Sequence, residues 1–531
     1  MIDLQKRLNF GEFLNSYKDI QTSLETSETA ETVEVSKAIS ALALAYEKVR
    51  NVIDYKDEHL IRRFAIEREL RRLFMQEDTT TSAERIIKTL IRGNYLQNVT
   101  VPVTKVFELQ LILQKFELLR RTSNNKVLIT PKLDSLTEYV IKLASLEVEK
   151  LLVPTYAPEI PSVYMASVLE NNIELQGTTS VDLWPVLVAS AHRAIHNADS
   201  ATIEYFAFIL LNPQWLNLET EQVKLLNIEK IKQDTSYLTN NPAFEKCLLL
   251  FRKHAPTFRT LEKVMLENIE DLDSLSDEDS VLRKSQTFLK KVYLATRDKL
   301  NRRLTRSIIY IVITKMALAL LLELPVDRYL EGRINPISLI INIITPPLIL
   351  FLIALAVKAP DETDVTNLLK VVKKLFNENT ILPDSKKILV SFNKKVQTIG
   401  DYIFYGLYLF LTILILWATY SFLYAIGYNF ASYIIFLFFL SVVSYFGYTI
   451  ASSATEYKVR SSDDGGFLTF LADTISLPVI RTGRKLSEGV SKINLFVFIL
   501  DFIIESPFKL LVEFLEQWLS YVREKREETI A

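Results

Sequence analysis

Three observations predict a mainly α-helical chain: a cytoplasmic all-helical N-terminal domain, a four-helix transmembrane region and a C-terminal amphipathic helix. Four apolar segments of spanning length follow residue 306. Lysine and arginine alternate sharply between the loops that join them. Only 12 of the 531 residues are glycine, where ordinary usage of roughly 7% would bring about 37.

The apolar segments run over about 307–324, 337–357, 402–426 and 432–451. Each is near the ~20 residues a helix needs to cross ~30 Å of hydrocarbon. Segments two to four are apolar on every face, unlike the one-sided helices of a soluble surface. Lys and Arg number 7 in the twenty residues before the first segment, then 2, 8, 0 and 6 in the successive loops and the tail. That alternation puts both termini and the loop 358–401 on the cytoplasmic side, with two short outer loops. Met1–Phe10 is charged and lacks a long apolar run, so the first segment of the 301–452 membrane domain is expected to act as an internal signal-anchor.

Residues 1–300 read as helical, with subdivisions near 80, 160 and 265. Ser36 to Gln76 shows helical periodicity and carries Arg62, Arg63, Arg68, Arg71 and Arg72 interleaved with Glu67 and Glu69, a pattern of salt-bridged solvated faces. Asn212–Pro213 and Asn241–Pro242 mark turns. A β-prone run at Lys126–Thr130 suggests a small winged-helix-like unit. The acidic, Ser/Thr-rich stretches Thr22–Glu34 and Glu270–Ser280 read as flexible spacers.

Several chemistries are excluded early. No two glycines stand at G-x-G spacing and no P-loop is present, so the dinucleotide and nucleotide fingerprints are missing. Lys+Arg 62 against Asp+Glu 63 gives a net charge of −1, and no helix carries an exposed basic and amide row suited to a nucleic-acid groove. The single Cys247 lies in the apolar run FEKCLLLF and reads as core. His192 and His196 share a helix face at i, i+4, the spacing of a metal pair, but Arg193 stands where a metalloprotease glutamate would, and only Asp199 or Glu204 is near as a third ligand. No catalytic or cofactor-binding residue is assigned, no cofactor is expected, and the chain is expected not to be an enzyme.

Within the bilayer, Lys315 falls about two and a half turns into the first segment, and Pro346–Pro347 breaks the second beside Asn342 and Thr345. Transporters place broken helices beside charges in this way, whereas a snorkelling lysine and a plain proline kink need no such role. In the loop 358–401, Asp364 is placed to cap a helix with Leu368, Leu369, Val372, Leu375 and Phe376 on one face and Lys370, Lys373 and Lys374 on another. It reads as a helix near the membrane, solvated or bound to anionic headgroups. In the tail, 453–531, Asp501, Glu505, Lys509, Glu513 and Glu516 form one stripe of an amphipathic helix over 493–526. That helix can span, lie on the interface or pack against the membrane domain, and its acidic stripe suits the Lys-rich loop 370–395.

The stretches DYKDEHLIRRFAIERELRR (54–72), SIIYIVITKMALALLLELPVD (307–327), INPISLIINIITPPLILFLIAL (334–355) and INLFVFILDFIIESPFKLLVEFLEQWLSYVREKREE (493–528) resemble an uncharacterised group of multi-pass membrane proteins of Patescibacteria. The resemblance implies a bacterial inner membrane and supplies no catalytic residue. Together these readings point to a non-enzymatic membrane-anchored scaffold. Its partners would be the lipid bilayer and proteins bound through residues 1–300 or the C-terminal helix, with self-association compatible with it and nucleic acid not expected. The rival reading is a small-solute or ion transporter working through Lys315, Asn342 and Pro346–Pro347.

Overall fold

A computed structural model describes residues 4–25, 58–76, 82–122, 135–153, 157–176, 182–318, 336–356, 361–383, 387–392, 399–428 and 430–454, with a few isolated positions besides. The chain is mainly helical. The helices before residue 270 are α1 (Phe10–Glu25), α2 (Glu58–Gln76), α3 (Ser82–Arg92), α4 (Thr104–Arg121), α5 (Ser135–Leu152), α6 (Glu159–Glu170), α7 (Trp184–His196), α8 (Ser200–Leu211), α9 (Thr220–Val223), α10 (Ile228–Thr239) and α11 (Pro242–Glu267). Their ends follow local chemistry. Asn197, left-handed at φ 51°, ends α7, and Asp199 caps α8 by accepting from the Thr202 N–H. The Asn-Pro signals act as read: Pro213 opens a 3-10 turn after α8, and Asn241 with Pro242 opens α11.

Two apolar cores result, and α8 is the wall between them. Ile203, Phe206, Ala207 and Leu210 face a core built from α1, α6, α7 and α11. Ala201, Tyr205, Phe208 and Ile209 face one built from α2, α3, α4 and α5.

From the first core runs α12 (Glu278–Leu318), a single helix of 41 residues. Its first turns bury Val281 and Leu289 in the domain, and its later ones pack Leu300 and Leu304 against apolar helices. Those helices are α13 (Pro336–Ala356) and, further on, α15 (Ile399–Ala425) and α16 (Phe430–Ala454), with α14 (Glu362–Glu378) between the pairs. Gly427, at φ 94°, makes the tight turn from α15 to α16.

Two helices, not the four expected, are long and apolar enough to cross a membrane by length and composition among the described residues: Tyr405–Ala425 of α15 and Ser432–Ile450 of α16. The first expected segment, 307–324, is the end of α12, where 319–324 lie outside the described residues and the preceding turns are charged. The second is α13, whose described apolar stretch is the shorter Ile340–Ile353.

The loop 358–401 differs most from its reading. Its helix α14 does have the expected apolar face, yet Leu368, Val372 and Leu375 are fully buried in the first core rather than turned to headgroups. Burial of each contributes about 1.5–3 kcal/mol, so the loop belongs to the domain. Asp361, not Asp364, is its N-cap, and Asp364 completes a capping box as the third helical residue. The next residues form β2 (Ile388–Val390), parallel to β1 (Ile173–Leu175), with Ile173 opposite Ile388 and Leu175 opposite Val390. Tyr457, beyond α16, also returns, its carbonyl accepting from the Tyr293 hydroxyl at 2.8 Å.

Two smaller readings change too. Glu270–Ser280 is not a spacer: two 3-10 turns there bury Leu272 and Leu275 in the first core. On α2 the charged face is salt-bridged, as expected, but Arg63, Glu67 and Glu69 are buried, Arg63 against Asp199 at the cap of α8, Glu67 beside Arg63 and Glu69 beside Arg72. The β-prone run 126–130 lies outside the described residues.

Candidate functional site

Among the described residues, a cleft of about 1210 Å³ lies where the two cores meet beside α8, walled by α1, α4, α5 and the turn after α8. The turn that lines it with residues 216–220 follows from Asn212–Pro213. The turn lays Trp215 on Phe116 and Phe208, with ring centroids 5.0 and 5.1 Å away. The indole N–H then donates to Glu147 Oε2 at 2.8 Å. Burial raises the Glu147 carboxyl, partly offset by Trp215 and the charge of Lys115. The Lys115 ammonium donates to the Trp215 carbonyl at 3.3 Å. On the outer wall Lys150 pairs with Glu159. Burial pushes Glu159 up, but Lys150 outweighs it and holds the acid below its ordinary range. Leu111, Ile112, Leu151, Phe206 and Ile209 supply apolar wall, and Phe107 and Leu111 leave exposed apolar surface on α4. Of the acids that line it, Glu147 is bonded to Trp215, Glu159 to Lys150 and Glu108 to Lys105.

His192 and His196 end up side by side, ring centroids 4.8 Å apart. His192 stacks on Phe206, and its Nδ1 lies 3.0 Å from Ser162 Oγ. His196 Nε2 lies 2.9 Å from the Pro158 carbonyl, and its Nδ1 is 4.0 Å from Glu262 Oε2. Burial lowers both imidazoles, His192 well below its ordinary range and His196 to about 4, and lifts the Glu262 carboxyl to about 7. Asp199 is not beside them as a third ligand, because Arg63 holds it with two bonds of 2.8 and 2.6 Å. Ser162 beside His192 has no solvent-exposed surface. Cys247 is buried in the first core, its thiol pushed up to about 12 by burial.

Among the membrane candidates, Asn342 is buried and its Oδ1 accepts from the Tyr428 hydroxyl at 3.0 Å, tying α13 to the α15–α16 turn. Pro346 and Pro347 sit inside α13 and remove two N–H donors. They leave the carbonyls of Asn342 and Ile343 without their helical donors, while the Thr345 hydroxyl donates to the carbonyl just before them, that of Ile341, at 2.7 Å. Lys315 is in α12, with its side chain outside what the structure describes. The stripe Asp501, Glu505, Lys509, Glu513 and Glu516 lies outside the described residues as well.

Some partnerships escaped the sequence reading. Arg259 closes the end of α7, donating to the Ala194 carbonyl at 2.7 Å and Asn197 Oδ1 at 3.0 Å. An arginine on an apolar stripe of α11, three residues after Pro256, was its visible signal. The Glu147–Trp215 bond spans 68 residues and had no sequence signal. Comparison with protein families, curated proteins and solved structures finds no match to this chain.

Proposed function

We propose that this chain is a multi-pass inner-membrane protein, a non-enzymatic scaffold whose helical domain is held at the cytoplasmic face to recruit a protein partner. The observation that supports it is the chain's repeated return. After α12 and α13, residues 388–390 pair with 173–175. After α15 and α16, Tyr457 meets Tyr293, and Lys458 lies 3.5 Å from Asp364. Apolar hairpins that leave and re-enter one domain begin and end on the same side, which agrees with four crossings and with the 7, 2, 8, 0, 6 charge alternation. The domain fixed this way carries the cleft and the exposed Phe107 and Leu111.

Transport through the α12–α13 region is disfavoured by its packing. Leu300, Leu304, Ile308 and Ile311 of α12 close on Leu350 of α13 and Val443 and Ile450 of α16. Asn342 is already bonded to Tyr428.

Labelling tests the topology, and the buried Cys247 contributes little background. Arg328→Cys should react with an impermeant maleimide from outside and Thr380→Cys only after permeabilisation; the reverse pattern overturns the topology. Cross-linking with mass spectrometry on the full chain tests recruitment. Leu111→Glu should lose the captured partner and Lys315→Leu should keep it; partner capture unchanged by Leu111→Glu overturns recruitment through the cleft.

A further inference from the structure

Helix α12 changes character within one turn. Lys299, Arg302, Arg303 and Arg306 follow i, i+3, i+4, i+7 spacing, so they share one face, and all four are exposed. Leu300 and Leu304, on a different side, bury themselves against α13 and α16. Three residues beyond Arg306, about 4.5 Å along the axis, the exposed side continues as Ile309, Tyr310 and Ile313, which are 55%, 68% and 62% exposed.

Several cations elsewhere in the domain have acids. Arg62 meets Glu149, Lys291 meets Glu267, and Lys373 meets Glu278. Among the described residues, Lys299, Arg302, Arg303 and Arg306 have no acid within ion-pair distance; Asp298 stands one turn before Arg302, at i, i+4, on the edge of this face, and is not within ion-pair distance of it. The lysines of the 358–401 loop are less suited to a surface role. Lys373 is paired, and Lys387 donates to the Asn171 carbonyl at 2.6 Å.

We propose that the face formed by Lys299, Arg302, Arg303 and Arg306 binds the phosphates of anionic phospholipid headgroups. The inference rests on the membrane reading above. A row of exposed cations running straight into bare apolar side chains matches the order of layers at a bilayer surface: phosphate, then carbonyl region, then hydrocarbon. Three of the four are arginines, whose planar fork suits phosphate oxygens. A nucleic acid would be met by charge alone and would leave Ile309 and Ile313 in water.

The test uses the full chain in vesicles of phosphatidylcholine and phosphatidylglycerol in equal amounts, with native mass spectrometry counting the lipids that stay bound on release. Phosphatidylglycerol should be retained over phosphatidylcholine by about tenfold, a modest share of what four surface cations can supply. K299Q/R302Q/R303Q/R306Q should erase that preference. R302K/R303K/R306K should keep most of it, since charge persists, and K370Q/K374Q on exposed positions of α14 should leave it unchanged. Equal retention of both lipids by the unaltered chain, an unchanged preference in the four-site variant, or displacement of phosphatidylglycerol by a short RNA overturns the proposal. Release of the chain from vesicles by alkaline carbonate overturns the membrane reading with it; a carbonate-resistant chain lacking the lipid preference overturns only the headgroup site.

Discussion

Two helices of this chain, α8 and α15, are rich in apolar residues on every face and meet opposite fates. Along α8, Phe206 and Ala207 turn to one core and Phe208 and Ile209 to the other, so almost nothing is left exposed. Along α15, Ile403, Phe410 and Trp417 stand 67%, 61% and 67% exposed. Only 6% of the apolar window of α15 is buried, against 28% for α16. An all-round apolar pattern therefore marks a helix that water must not touch, and leaves open whether protein or lipid does the covering. Length separates them: 12 residues for α8 cannot cross a bilayer, and 27 for α15 can.

Substitutions along the two helices sharpen the contrast. Phe208→Ala opens a cavity between Trp215 and Tyr205 and should cost about 3–5 kcal/mol, read as a lowered urea midpoint of the full chain in detergent. A change near zero would break the claim that α8 is shared core. Asp199→Asn, at the cap of α8, leaves the buried Arg63 without its main partner. The loss should be about 3 kcal/mol, at the low end for an orphaned buried charge because Glu67 remains at 3.5 Å.

The same pair sets an acid limb. Burial raises the Asp199 carboxyl, but Arg63 and Thr202 outweigh it and hold it at about 2, below its ordinary 3.8. The folded value lies below the unfolded one, so this stability is full above pH ~4 and drains as pH falls towards 2, by roughly 2 kcal/mol. Unfolding midpoints between pH 5 and 2.5 should fall more steeply in the unaltered chain than in Asp199→Asn.

Among the apolar helices the effects are smaller and local. A Cβ on Gly447 of α16 would stand 2.6 Å from Ile353 Cδ1, while one on Gly406 of α15 meets nothing within 4 Å. Gly447→Val should thus lower the melting temperature in detergent, by overpacking worth about 1–3 kcal/mol, and Gly406→Ala should not lower it. Smallest of all, Phe410→Ala should stay within about 0.5 kcal/mol. A large loss there would mean that another protein surface, rather than lipid, covers α15.

Much of the helical pattern was legible because it rests on neighbours in sequence. Asn241–Pro242 and Asn212–Pro213 turn the chain where their chemistry says, and α14 has the apolar face its spacing implies. What covers that face was not legible. Leu368 and Val372 look the same whether lipid or the α11–α12 surface receives them. The strands β1 and β2 left no trace either, since three residues have no periodicity to show and their partners lie 215 positions apart. The buried charges of α2 were misread for a similar reason: Arg63 looks like any solvated arginine until Asp199 arrives from 136 residues away. Of the cleft, the turn at Pro213 was visible, and its joining to Glu147 was not.

The strand pair 173–175 with 388–390 also sets an order of events during synthesis. The surface that α14 fills is complete in sequence once α12 has begun at Glu278, yet its filling ends only at Glu378. At about 5–20 residues per second, that surface stays bare for roughly 5–20 s while the ribosome makes the first apolar hairpin. The domain cannot finish folding before that hairpin has been delivered. A nascent chain stalled at residue 300 would show an open apolar trench to chaperones and proteases, so maturation of the domain is timed by synthesis of the apolar hairpin that follows it.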